Sequence, residues 1–228
     1  MKTETFTDAV AAAKRAAEVV AAEARAAVTA RGRFAIAVSG GRTPWLMLRL
    51  LAQEDVPWHG VHLFQVDERV APAGDPQRNL THIGETLLAG APLAPDQVHA
   101  MQVEAGDLDA AACHYARTLR DICGTPPVLD LAHLGLGPDG HTASLVPGDP
   151  VLTVVDADVA LTAPYLGHRR MTLTYPVLNR ARCILWLVTG SDKRAMLARL
   201  RAADASIPAG RIEQRHALVL ADREAAGA

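Results

Sequence analysis

Four short segments hold the side chains able to do chemistry: Ser39-Gly40-Gly41-Arg42-Thr43, Asp67-Glu68-Arg69, Gly135-Leu136-Gly137-Pro138-Asp139-Gly140-His141 and Thr189-Gly190-Ser191-Asp192-Lys193. The first joins a glycine pair to hydroxyl and guanidinium groups. Glycines let the backbone turn tightly, and where such a turn opens a helix its free N–H groups suit a phosphate. The spaced Gly-Lys-Ser/Thr of a Walker A loop is absent, and taken alone the segment reads at least as well as an ordinary turn with a hydroxyl cap. Lys193 adds weight. It falls in the first turn of an expected helix over 191–201, where the macrodipole disfavours a cation by roughly 0.3–1 kcal/mol. An anionic ligand would remove that conflict; a lysine reaching into water is the plain alternative. Asp67-Glu68-Arg69 is open to two readings. It is a surface ion pair of small worth, or a carboxylate that orients substrate or water beside an arginine fork on phosphate.

Gly135 to His141 is the most informative stretch. It contains a literal G-x-G-x-x-G after an apolar strand, which raises a dinucleotide site. Only Thr142 to Val146 separate His141 from Pro147-Gly148, too few residues for the helix that would receive a pyrophosphate. A loop presenting Asp139 and His141 fits better. An imidazole of ordinary pKa, near 6.5, can accept a proton at neutral pH, so His141 is a candidate general base. The other eight histidines show no H-x-x-x-H or H-E-x-x-H spacing, so no metal site is expected. A G-x-S-x-G nucleophile elbow is also missing.

The elements that must position these groups alternate. A helix is expected over 7–31, with Val10, Ala13, Ala17, Val20, Ala24 and Ala27 on one apolar face, Thr7 or Asp8 as cap and Gly32 as stop. A strand at 34–38 breaks at Ser39, and Thr43-Pro44 opens a helix, with Thr43 capping and Pro44 first in it. A strand at 61–66 is broken by Asp67-Glu68-Arg69. Helices follow at 79–89 and 107–123, with a short strand near 98–102 between them. Further strands are expected at 128–134, 159–163, 171–175, 184–188 and 217–220, before a polar, alanine-rich tail. This pattern predicts an α/β chain: a three-layer, mostly parallel, doubly wound (Rossmann-like) sheet in a single domain spanning 1–228. In such a sheet the strands' carboxyl ends share one edge, and ligands bind in the crevice there. Four polar clusters distant in sequence can therefore meet.

Composition narrows the partners. Across 228 residues half are hydrophobic and the formal charge is −2, which excludes a disordered chain and gives no footprint for nucleic acid or a membrane surface. Three cysteines, an odd number without a CxxC pair, suit a reducing compartment. With no apolar segment after Met1–Phe6 and no run of membrane-span length, a cytoplasmic location is expected. Nothing in the sequence fixes an oligomeric state.

These residues resemble the 6-phosphogluconolactonase family. The resemblance rests on Ala37 to Pro44, Asp67-Glu68-Arg69 with Asn79 downstream, Leu134 to Gly148, Arg170 to Thr174, and Leu187 to Lys193, in family order over most of the chain. Gln77-Arg78 precedes Asn79 where many members have a serine, and Val146 stands where phenylalanine is usual. The resemblance implies a metal-independent and cofactor-independent enzyme that opens 6-phospho-glucono-1,5-lactone to 6-phosphogluconate in the oxidative branch of the pentose phosphate pathway. It implies His141 as the base that activates water, and Asp139 or Asp67 orienting the imidazole or the sugar hydroxyls. Backbone N–H groups near Gly40 or Gly137 would hold the oxyanion. Ser39, Gly40, Gly41, Arg42, Thr43, Arg69, Arg170 and Lys193 would hold the phosphate. A glucosamine-6-phosphate deaminase/isomerase-like enzyme is the nearest alternative, but Thr142 to Pro147 offers no carboxylate after the histidine to assist ring opening. A non-enzymatic sugar-phosphate sensor is the other, and the chain has no DNA-binding segment to go with it.

Overall fold

The computed structural model describes residues 1–227; Ala228 lies outside them. Its strands are β1 (Lys2–Phe6), β2 (Phe34–Val38), β3 (Val61–Gln65), β4 (Asp67–Arg69), β5 (Val98–His99), β6 (Leu131–Leu134), β7 (Val159–Leu161), β8 (Arg170–Leu173), β9 (Cys183–Val188) and β10 (Ala217–Asp222). Its helices are α1 (Ala9–Arg31), α2 (Arg42–Leu51), α3 (Asn79–Ile83), α4 (Leu108–Cys123), α5 (Tyr175–Asn179), α6 (Arg194–Arg201) and α7 (Arg223–Ala226).

Seven strands pair in parallel in the order β1-β10-β9-β6-β2-β3-β5. Their apolar residues are divided between two cores by strict alternation. Phe34, Ile36 and Val38 of β2 face one side with Leu185 and Leu187 of β9. Ala35 and Ala37, with Ile184, Trp186 and Val188, face the other. Strands buried on both faces read as unbroken apolar runs, which is why β2 and β9 are plain in the sequence. Against the first face lie α1 and α2. The second face carries α4, α5 and α6 together with β8 of the smaller sheet. Asp8 caps α1 by accepting from the Ala11 N–H at 2.8 Å, and the alanine face lets the helix sit close to the sheet. Val10, expected on that face, is instead exposed at the first turn.

From β2 the chain winds outward through β3 and β5. It then returns to β6, on the other side of β2, and continues outward through β9 and β10. The reversal between β2 and β6 is the switch point at which a doubly wound sheet opens a crevice.

Several local expectations need correction. Asp67-Glu68-Arg69 does not merely break a strand: it is β4, the edge of a separate antiparallel sheet ordered β4-β8-β7. The expected strands near 159–163 and 171–175 belong to that sheet and not to the parallel one. α2 starts at Arg42 with Gly41 before it, so Thr43 is not the cap and Pro44 is the third helical residue. Proline is tolerated there because the first N–H groups of a helix have no partner inside it. Helix 79–89 is α3 followed by a widened π turn, Gly84–Leu88. Lys193 ends a short 3₁₀ turn, Ser191–Lys193, that leads into α6. β1, an edge strand of mostly polar residues, carries no apolar run that would mark it in the sequence, and part of the expected tail is α7. Among the described residues no helix is long and apolar enough to cross a membrane.

Candidate active site

The carboxyl ends of β3, β2, β6 and β9, four neighbours in the sheet, bring the four segments around one cleft of about 300 Å³. The Ser39–Thr43 loop, Asp67, Arg69, His141, Arg170 and Lys193 all line it. Asp139 stands behind His141, with its Oδ1 2.6 Å from the ring Nδ1. The same oxygen accepts from the His141 backbone N–H at 3.1 Å, and the Tyr165 hydroxyl donates to Oδ2 at 3.1 Å. Burial works to raise the Asp139 pKa, but the neighbouring imidazole and these hydrogen bonds outweigh it, and the net shift is downward. An ionised carboxylate only accepts, so Nδ1 carries the ring proton and Nε2 presents a lone pair.

Gly137 makes this placement possible. A Cβ there would lie 2.1 Å from Nδ1 of His141, so the ring lies against bare backbone. The Gly137 N–H donates to the His141 carbonyl at 2.8 Å. That donor is therefore spent inside the loop, which removes Gly137 as an oxyanion donor. The Gly40 N–H makes no backbone hydrogen bond among the described residues.

After His141, Ala143 adopts φ 51°, a conformation a non-glycine residue rarely takes. The chain thereby turns Ser144 inward, and its hydroxyl donates to Asp67 Oδ2 at 2.6 Å. Asn79 completes the hold on Asp67, donating from Nδ2 to the Asp67 carbonyl at 2.8 Å and to Oδ1 at 3.3 Å. Arg69 donates to Asn79 Oδ1. Asn79 sits so close to Gly40 that a Cβ on the glycine would overlap it at 1.9 Å. Asp67 thus belongs to the cleft floor; it is Asp139 that contacts the imidazole, which decides between the two carboxylates considered for that contact.

Glu68 points the other way from Asp67 and Arg69, into a fully buried position. It accepts from the Asn79 and Leu80 N–H groups at 2.8 Å each, from Arg69 N–H at 2.8 Å and from Gln65 Nε2 at 2.7 Å, with Arg78 Nε 3.6 Å away. The first two are the unpaired donors at the start of α3, so Glu68 caps that helix from a neighbouring strand. The charged triplet is not a surface ion pair.

Arg69 and Arg170 are direct partners across the β4–β8 ladder. Like charges facing each other across a ladder are unfavourable. Burial, and then Arg69, lower the Arg170 pKa, and Arg170 Nε is buried with no hydrogen-bond partner. Such a pair calls for an anion between its members. Thr43 Oγ1 lies 2.7 Å from Thr189 Oγ1, tying the segments after β2 and β9 together across β6. Lys193 Nζ is 2.9 Å from Asp192 Oδ2, an exposed carboxylate that holds it weakly. Beneath the loop, Ser39 donates from its hydroxyl to the His133 carbonyl at 2.9 Å and from its N–H to His133 Nδ1 at 3.3 Å. Burial pushes His133 down to about 4, so this second histidine of the β6 segment is a neutral acceptor. Among the described residues no cluster of three or more His, Cys, Asp or Glu could hold a metal.

A family model described as glucosamine-6-phosphate isomerases/6-phosphogluconolactonase matches residues 7–221. The chain belongs to this family. A 6-phosphogluconolactonase of Mycobacterium tuberculosis is 40% identical over 215 residues, covering 88% of this chain and 87% of that one. The solved 6-phosphogluconolactonase of Thermotoga maritima superposes with a TM-score of 0.86 at 27% identity, covering 97% of this chain and 98% of that one. A monomeric glucosamine-6-phosphate deaminase superposes with a TM-score of 0.87 over 100% of this chain and 99% of that one, but at 18% identity it shares the fold alone. Within the family's shared fold, three contributors to this chain's site have no role that the sequence alone assigns. Tyr165 falls in no motif, Ser144 lies within the Leu134 to Gly148 stretch without a role that spacing assigns it, and the residues before Asn79 cloud its part; the glycines at 40 and 137, each too tight for a side chain, are the available signal.

Proposed function

We propose that this chain hydrolyses 6-phospho-D-glucono-1,5-lactone to 6-phospho-D-gluconate, with His141 as general base, in the oxidative branch of the pentose phosphate pathway. The observation that carries the reading is the His141–Asp139 pair, set on the wall of a cleft whose rims hold cations. Nδ1 is committed to Asp139, so Nε2 takes a proton from water as its oxygen attacks the lactone carbonyl carbon. The carbonyl becomes a tetrahedral oxyanion, for which the Gly40 N–H is the remaining backbone donor of the two candidates. As the oxyanion collapses the ring C–O bond breaks, and the imidazolium returns its proton to the departing ring oxygen. Asp139 orients the imidazole and stabilises its charged form; Asp67, fixed by Ser144 and Asn79, receives sugar hydroxyls. Gly40, Gly41, Arg42 and Thr43 hold the phosphate with Lys193, Arg69 and Arg170, while Ser39, whose hydroxyl and N–H are both committed to His133, anchors the loop beneath it.

The chain acts as one hydrolase domain and works in the cytoplasm, where its three free cysteines stay reduced. It takes a small phosphorylated lactone and engages neither nucleic acid nor membrane. No side chain of Thr142 to Pro147 supplies the carboxylate that the deaminase alternative requires. The test is direct: purified protein, with chelator present, is expected to open 6-phosphogluconolactone far faster than the lactone hydrolyses unaided. A rate equal to spontaneous hydrolysis would refute the reading.

A further inference from the structure

Tyr165 lies outside the cleft lining, yet it touches three of the groups that the proposed reaction needs. Its hydroxyl donates to Asp139 Oδ2, the oxygen turned away from the imidazole. The edge-on ring meets His141 with centroids 5.7 Å apart at 68°. The guanidinium carbon of Arg170 lies 5.1 Å from the ring centroid, over its face. Base, carboxylate and buried cation therefore share one neighbour.

The segment that carries Tyr165 is built to hold it. Tyr165 and His168 exchange both backbone hydrogen bonds, at 2.9 and 3.3 Å, around a two-residue turn. The turn is made by Leu166 at φ 49° and Gly167 at φ 85°. Two consecutive positive φ values give the tight hairpin that matches strand twist, at a cost when the first residue is not glycine. Leu166 bears that cost while 76% exposed, so packing of its side chain does not account for the conformation. What the turn does fix is the position of Tyr165.

We infer that Tyr165 is a positioning residue for the lactonase site, locking the Asp139 carboxylate toward His141 through its hydroxyl and seating Arg170 through its ring. This rests on the function proposed above. A carboxylate with one oxygen free can rotate away from the imidazole; one held at both oxygens cannot without losing a hydrogen bond. The phenol also draws charge from the carboxylate, which moderates how strongly Asp139 favours the protonated imidazole. The other charged groups facing the cleft are Arg42, Asp67, Arg69, Asp192 and Lys193 with Arg170. None of them replaces the phenol in the hydrogen bonds made by Asp139.

The experiment compares wild type, Tyr165→Phe and Tyr165→Ala for lactone opening across pH, with thermal midpoints measured alongside. Tyr165→Phe keeps the ring and loses the hydroxyl. It should lower kcat roughly three- to tenfold with KM nearly unchanged, the share of a single hydrogen bond. The acid limb of its kcat/KM profile should move up by about half a pH unit, because a carboxylate without the phenol favours the imidazolium more. Tyr165→Ala should show the same fall in kcat and, with the ring gone from Arg170, a higher KM and weaker binding of 6-phosphogluconate. Phenylalanine should restore that binding. If Tyr165→Phe matches wild type in kcat and in its acid limb, the inference is overturned while the lactonase function stands. If wild type itself does not accelerate the reaction, the function falls first and the inference with it.

Discussion

Glu68 and Asp139 are both carboxylates set beside an ionisable or cationic side chain, the first on strand β4 and the second in the loop after β6. Glu68 is wholly buried, takes four hydrogen bonds and faces Arg78, and its oxygens hold the start of α3. Asp139 is about one-third exposed and spends its oxygens on an imidazole and a phenol. One acid is fixed by backbone donors that never titrate. The other is coupled to a ring whose proton can leave and return. The histidines divide in the same way: His133 is buried and neutral under Ser39, while His141 lines the cleft. What separates scaffold from chemistry here is the kind of partner and its access to solvent, and not the residue type.

The comparison breaks most visibly if the two sets of residues fail to separate activity from stability. His141→Ala should slow lactone opening by roughly 10²–10⁴-fold, the usual share of a general base, with its melting temperature close to wild type. Glu68→Gln should do the reverse. Disrupting a buried charged network costs roughly 3–5 kcal/mol, which lowers the melting temperature by about 10 °C in a chain of this size. Its activity per folded molecule should fall far less than that of His141→Ala. Scanning calorimetry beside a rate assay reads both. Asp139→Asn should cost roughly 10- to 100-fold in rate, the worth of a charge-assisted hydrogen bond, again with little change in melting.

The cationic rim sharpens the contrast further. Lys193→Ala should raise KM for the phosphorylated lactone about tenfold and leave an unphosphorylated lactone unaffected. Equal effects on the two substrates would place Lys193 outside the phosphate site. The last effect concerns pH. His133 is neutral in the fold down to about pH 4, whereas the unfolded chain binds that proton below about pH 6.5. Stability should therefore fall as pH drops from about 6.5 to about 4 and level off below. Denaturant titrations of His133→Asn should show a flatter slope, by at most about 1.4 kcal/mol per pH unit. His99, which burial and then His62 also push to about 4, leaves a residual slope in the variant.

Much of the molecule was legible in the sequence where burial on two sides leaves an apolar run. β2 and β9 are such runs, and the polar clusters that end them had to share an edge once the sheet was parallel. β1 was not legible, because Lys2 to Phe6 pairs through its backbone on an open edge and needs no apolar side chains. Asp67-Glu68-Arg69 stays open between two readings in the sequence for a related reason. Three charged residues look like surface, and only the antiparallel pairing with Arg170 to Leu173 shows that Glu68 turns inward while Asp67 and Arg69 face the cleft. Tyr165 was invisible because its contacts with Asp139 and His141 depend on a hairpin that no local spacing announces. In the sequence Gly137 stands as one of two backbone candidates for the oxyanion; that it instead leaves room for an imidazole appears only when the ring is in place.

A structure with the product bound tests the central claim most directly. Soaked with 6-phosphogluconate, the protein should show a carboxylate oxygen within about 3 Å of His141 Nε2, hydrogen-bond reach of a general base for the oxygen that came from water. The phosphate should lie on the Ser39–Thr43 loop with Lys193. A product carboxylate seated on Arg69 and Arg170 with the phosphate pointing to His141, or no density in the cleft at saturating product, would contradict the account.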